Sequence, residues 1–241
     1  MLRKKALYAI IFLGVMINSG LWAGDTAFFV DLGFSPDGKI YTFAQYGIES
    51  RTLRSWADLF IVDVPRNNFV SGGRLNFVHP SPIVTGQDGS GAVYRIIADN
   101  SALLSKYNIS FLNQGQPLYI AVDNGVAEKG QGIEFRDFDL GTSYKANLIQ
   151  YVEGSGTNLK SSFYINVEKT AQNGAKTAYT AGTPQLKRPL ISSYKIVKVL
   201  TGPRGGAARQ TNDSLIFVIE TEHHGSEGIV IRYMVEALNL P

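Results

Sequence analysis

The only segment that groups side chains of metal-ligand type is the run in which His223 and His224 stand beside Glu220 and Glu222. Side chains alternate faces along a strand, so Glu220, Glu222 and His224 would share one face while His223 turns to the other. Two carboxylates and one imidazole form a donor set for a divalent metal. Hydrolysis at such a metal would need a further partner, and the remaining histidine, His79, lies far away in sequence. The plainer reading is a polar strand end entering the turn Gly225-Ser226-Glu227-Gly228. That reading is the one expected, and no metal or other cofactor is predicted.

Other catalytic patterns fail on inspection. No segment matches the Gly-x-Ser-x-Gly of a serine nucleophile elbow, and Asp88-Gly89-Ser90-Gly91 reads as a turn with Ser90 as a helix cap. Gly202-Pro203-Arg204-Gly205-Gly206 lacks the Lys-Ser/Thr of a phosphate-binding loop and reads as a flexible turn. Asp123-Asn124-Gly125, Asp137 and Asp139 supply carboxylates, but isolated aspartates in turns usually bond nearby backbone. The aromatics Tyr41, Tyr46 and Trp56 are candidate ligand-binding residues that could stack on sugar rings, although core filling explains them equally well and is preferred.

These residues need elements to position them, and the elements read as strands. Aromatics are frequent at 11%, and the 25 glycines are spread as punctuation, a pattern of strands and turns. Ser35-Pro36-Asp37-Gly38 separates Ala27–Phe34 from Lys39–Tyr46, and Asp-Gly between apolar runs predicts a hairpin. Phe163, Ile165 and Val167 alternate with Tyr164, Asn166 and Glu168, the period of a half-buried strand. Further strands are predicted over 59–64, 118–122, 133–138, 144–152, 191–200, 215–221 and 229–235. Val93, Ile96, Ile97, Leu104 and Tyr107 fall at helical spacing, predicting one amphipathic helix of about four turns over 91–107. The stretches 154–160 and 171–187 read as polar loops.

Leu32 to Ala44, taken alone, is similar to the strand–turn–strand element of a TolB-like β-propeller blade. Propeller signatures return every 40 to 50 residues or so, and no second copy exists, so a small β-propeller stands only as the alternative architecture. Extended through Tyr46-Gly47 to Ile61-Val62-Asp63-Val64, the block resembles an uncharacterised family of predicted secreted bacterial proteins, a domain-of-unknown-function family. The helical segment with Leu103-Leu104 is similar to that family's second segment. The resemblance covers residues 27–122 and fades beyond them. It implies export and a shared fold, and it transfers no catalytic residue.

The N-terminus agrees with export. Arg3, Lys4 and Lys5 precede an apolar run over Ala6–Ile17 and a more polar stretch ending at Ala23, the order of a signal peptide cleaved after residue 23. The run is short of the roughly 20 residues a membrane span needs. Cysteine is absent, which excludes disulfides, thiolate metal sites, a cysteine nucleophile and a lipid-anchored N-terminal cysteine. The chain has 23 basic and 20 acidic side chains. Three of the bases fall within 1–23, so the mature chain is balanced, which argues against a nucleic-acid partner. The expectation is therefore one mainly β domain over 24–241, with antiparallel sheets in a sandwich or barrel-like arrangement and no transmembrane segment. Its expected role is that of a non-enzymatic binding or interaction protein of the periplasm or cell envelope, with an envelope protein or cell-wall component as partner. A metal-assisted envelope hydrolase is the alternative.

Overall fold

A computed structural model describes residues 25–122, 131–203, 213–225 and 228–240. The expected signal segment, Asp123-Asn124-Gly125, Arg204-Gly205-Gly206 and Ser226-Glu227 lie outside the described residues. A first sheet is a four-stranded meander of β1 (Phe28–Phe34), β2 (Ile40–Ile48), β3 (Arg54–Asp63) and β4 (Asn68–Pro82). Two short helices follow, α1 (Gly91–Asp99) and α2 (Ser101–Lys106), and then β5 (Gln116–Ile120). A second sheet holds β6 (Gly132–Asp137), β7 (Thr142–Glu153) and β8 (Lys160–Thr170), with β9 (Lys176–Gly182) and β10 (Arg188–Pro189) both paired to β8. A third sheet, ordered β13-β12-β11-β5, is built from β11 (Ile191–Thr201), β12 (Asp213–Gly225), β13 (Gly228–Leu240) and the returning β5.

The third sheet is the middle layer, because both of its faces are covered. On β12, Leu215, Phe217 and Ile219 pack with Phe163, Ile165 and Leu148 of the second sheet. Ile216 and Val218, of opposite parity, pack with Phe34, Tyr41, Phe43 and Val62 of the first. This explains the unbroken apolar run over 215–219, since a strand buried on both sides has no place for polar alternation. The outer face of the first sheet is covered in turn by the helices, whose Ala92, Val93, Ile96 and Leu104 meet Leu32, Ala44, Leu59 and Ile61. The layers are thus helices, first sheet, middle sheet and second sheet.

A bulge in β1 makes this stacking possible. The pairing with β2 slips between Asp31 and Gly33, so Leu32 faces the helices while Phe34 faces the middle sheet. Gly33 takes φ +90°, and a Cβ there would lie 2.7 Å from the Ser110 carbonyl oxygen. Glycine is required at this position.

The antiparallel, mainly β fold and the hairpin at Ser35–Gly38 are as the sequence predicts. In that turn Ser35 Oγ donates to Asp37 Oδ1 at 2.7 Å, and Gly38 takes φ +66°. The propeller alternative is corrected: the sheets stack through shared cores instead of radiating as blades, and the hairpin is one edge of a meander. The single helix over 91–107 is also corrected. It breaks at Asn100, where φ is −116° and the side-chain amide donates to the Ile96 carbonyl at 2.8 Å, the competition with backbone that Asn offers inside helices. Ser90 makes no capping bond. Its own amide instead donates to Asp88 Oδ1 at 2.9 Å. Three strands fall where none was predicted: β4, β9 and β10. No helix among the described residues is long and apolar enough to cross a membrane.

Candidate functional site

A broad concavity lies at the end of the first sheet where β2 finishes and β3 begins. It encloses about 930 Å³ between the tail of β4, the loop over 83–90 and the start of α1. Phe77, His79, Asp88 and Arg95 give it its chemistry, with Ser55 of β3 among the lining residues. The loop is seated on the sheet by Gly89, which takes φ +82°. A Cβ there would meet Ile48, Gly47 and Ser55 at 3.1–3.3 Å. That close seating fixes Asp88, whose carboxyl the Ser90 amide holds below the ordinary range. Arg95 Nε donates to Asp99 Oδ2 at 2.8 Å, one helical turn on. His79 Nδ1 sits 2.9 Å from the Ser81 carbonyl oxygen, and its ring stands edge-on to Phe77.

Beside Asp88 the surface is aromatic. Phe28 and Tyr46, paired across β1 and β2, stack with centroids 5.2 Å apart and planes inclined by 25°. Phe28 is 56% exposed, and Tyr94 of α1 is 74% exposed. Burial, followed by the charges of Asp88 and Tyr94, lifts the Tyr46 hydroxyl above its ordinary value of 10.0. The hydroxyl therefore stays protonated at neutral pH and is a donor. The surface thus offers flat apolar faces, phenolic donors, one carboxylate acceptor and one guanidinium. Such a set suits a ring ligand with an apolar face and a hydroxylated rim.

Of the three aromatics singled out from sequence, only Tyr46 belongs to this surface. Tyr41 is wholly buried between the first and middle sheets. Trp56 is buried on that same side, with its indole flat against Gly47, where a Cβ would come within 2.8 Å. Its ring is covered by the Arg232 guanidinium at 4.1 Å, and its Nε1 donates to Asp25 Oδ2 at 3.2 Å. Arg232 also pairs with Asp25 Oδ2 at 2.7 Å. Trp56 therefore ties the first sheet to the middle one. Strand alternation separates Tyr41 from Tyr46, since on β2 odd positions face the middle sheet and even ones face the helices, and Trp56 of β3, paired with Gly47, falls on the side of Tyr41.

Glu220, Glu222 and His224 do follow one another on the same face of β12, whose pairing with β13 runs without a slip. Glu220 Oε2 accepts from the Tyr233 hydroxyl at 3.2 Å, and burial, then Glu220, pushes that hydroxyl up to about 12. His224 is exposed, and His223 instead turns to Thr221 at 3.0 Å. His79 stands on β4, in a different sheet. Alternate residues of a strand are rooted about 7 Å apart, so one strand alone diverges its donors. Among the described residues no three His, Asp or Glu side chains converge on a metal position.

Sequence reasoning missed Phe28, Tyr94 and Asp88 as surface groups. Tyr94 carried a readable signal: it lies off the Val93–Ile96–Ile97 stripe, on what should be the polar face of the helix. Phe28 carried none, because Phe28-Phe29 at a strand start reads equally well in either orientation.

Neither the curated proteins nor the solved structures offer a match to this chain. A family model does match, over residues 42–239. That span begins beyond the Ser35–Gly38 turn, on which the resemblance partly rested, and it continues through the middle and second sheets, where the resemblance had faded. Matched from within β2 almost to the end of β13, the chain belongs to the family described as predicted secreted protein (DUF2259).

Proposed function

We propose that this protein is a non-catalytic binding protein of the bacterial periplasm, and that the groove over the first sheet takes a segment of cell-wall glycan. The observation that supports this is exposed Phe28 stacked on half-buried Tyr46, near Tyr94 and Asp88, with Asp88 itself lining a concavity large enough for several sugar rings. An aromatic face takes the apolar side of a sugar ring, while Asp88 and Arg95 are placed for its hydroxyls. The seated loop and the buried sheet beneath hold these groups in position before the ligand arrives, which lowers the ordering cost of binding.

The test is calorimetric titration of residues 24–241 with soluble muropeptides. Removing one stacking ring loses about 0.5–1.5 kcal/mol, so Tyr46→Ala and Tyr94→Ala should each weaken binding by roughly 2- to 12-fold. Absence of saturable binding, or binding that both variants leave unchanged, would refute the reading. The alternative, a metal-assisted envelope hydrolase, draws support only from the shared face of Glu220, Glu222 and His224. A zinc-specific thermal shift lost in His224→Ala would favour it.

A further inference from the structure

A second cavity, of about 320 Å³, opens where the turn between β3 and β4, the edge strand β13 and the segment before β10 meet. Its polar floor is already engaged. Glu236, 7% exposed, accepts from the Asn67 side-chain amide at 2.5 Å and lies 3.4 Å from Arg188 Nη2. Asn67 in turn accepts from the Ala237 amide at 2.7 Å. The Arg188 guanidinium lies 4.9 Å from the Phe163 ring centroid, and its charge acts on the Tyr194 hydroxyl. The walls are Phe60, Phe69 and Tyr233. At the mouth stands Arg74, exposed, with its guanidinium 4.1 Å over the Phe69 ring and, among the described residues, no carboxylate partner.

We infer that this cleft is a second ligand site, and that it takes a small monocarboxylate with an apolar body. Two guanidiniums against one carboxylate leave the lining positive, and the one carboxylate is consumed by Arg188 and Asn67. An anion is therefore favoured over the cation that an aromatic cage alone would suggest. The apolar body lies against Phe60 and Phe69, and the ligand carboxylate takes Arg74, whose fork of donors matches it. The volume stands at the small end of ligand cavities, which limits the body to a single ring or a short acyl chain. The site is separate from the glycan groove: its walls come from the face of the first sheet that meets the middle sheet, while the groove lies on the helix side.

The experiment uses residues 24–241 and follows amide shifts during titration with benzoate and hexanoate. Benzamide, hexanamide and benzylamine serve as uncharged and cationic counterparts. Both acids should saturate, or the better-fitting one alone, and the matching amide should bind at least tenfold more weakly. Arg74→Gln should weaken the acid about tenfold, leave the amide unchanged and keep the melting temperature, since Arg74 is exposed. Saturation with muropeptide should leave the acid's affinity as it was, which separates this inference from the glycan reading. Equal binding of acid and amide, tighter binding of benzylamine, an Arg74→Gln variant that binds as the parent does, or no saturable shift at all would overturn it.

Discussion

Truncations at neighbouring positions on β12 probe the stacking of the three sheets. Phe217 faces the second sheet and Val218 the first, and both are fully buried. Phe217→Ala should cost about 3–5 kcal/mol, the range for emptying a buried aromatic site. Val218→Ala removes two methyl groups worth about 0.8 kcal/mol each and leaves a small cavity, for roughly 2 kcal/mol in all. In a domain of this size each kcal/mol moves the melting midpoint by about 2–4 °C. The expected losses are therefore roughly 6–20 °C for Phe217→Ala and about 4–8 °C for Val218→Ala. Lys145→Ala, on the outer face of the second sheet in an exposed pair with Glu134, should change stability by less than about 0.5 kcal/mol. Circular dichroism melts and urea titrations of residues 24–241 measure all three, and each should show one transition if the chain is one domain, as we expect. A two-layer sandwich would tolerate truncation at one parity of β12. A Val218→Ala variant melting with the parent would mean that face of the middle sheet is open, and the layered account would fail.

Three further outcomes follow from individual contacts. Gly33→Ala should destabilise by about 1–3 kcal/mol more than Gly72→Ala; both glycines have positive φ, but only Gly33 would meet backbone within 3 Å, and equal urea midpoints would contradict the bulge's role. Trp56 is the only tryptophan beyond residue 23, so its fluorescence reports the Arg232 stack: Arg232→Ala should shift the emission to the red and cost about 1–2 kcal/mol. Burial, followed by the charge of Arg232, holds the His223 imidazole below its ordinary 6.5. Between the folded value and 6.5 the unfolded chain binds the proton more readily, so stability should fall as pH drops through that window. His223→Gln should flatten this slope in urea midpoints taken across pH.

How much was legible in the sequence varied with how each strand is buried. β8 announced itself by alternation, because one face meets the core and the other does not. β12 was readable as a strand from its apolar run, but nothing in that run says which layers lie on either side. β4 escaped because most of its length is exposed: Asn68, Gly72, Arg74, Asn76 and His79 interrupt any pattern. β9 escaped for the same reason, since it pairs only with β8 and buries only Ala181. The bulge at Gly33, which flips the facing of Phe34, is invisible to a strict period of two. The candidate site was partly legible through Tyr46. Tyr41 and Trp56 were hidden by composition, since an aromatic in a strand looks the same whether it faces solvent or another sheet. Asp88 looked like an ordinary turn residue until its loop was seen closing a groove.

The most direct measurement is to map the bound glycan by amide shifts on isotopically labelled residues 24–241 during titration with soluble muropeptide. The binding account predicts the largest changes at Phe28, Tyr46, Asp88–Gly89 and Tyr94, with the β12–β13 hairpin unmoved. Changes centred instead on Glu222 and His224, or no saturable change anywhere, would contradict it.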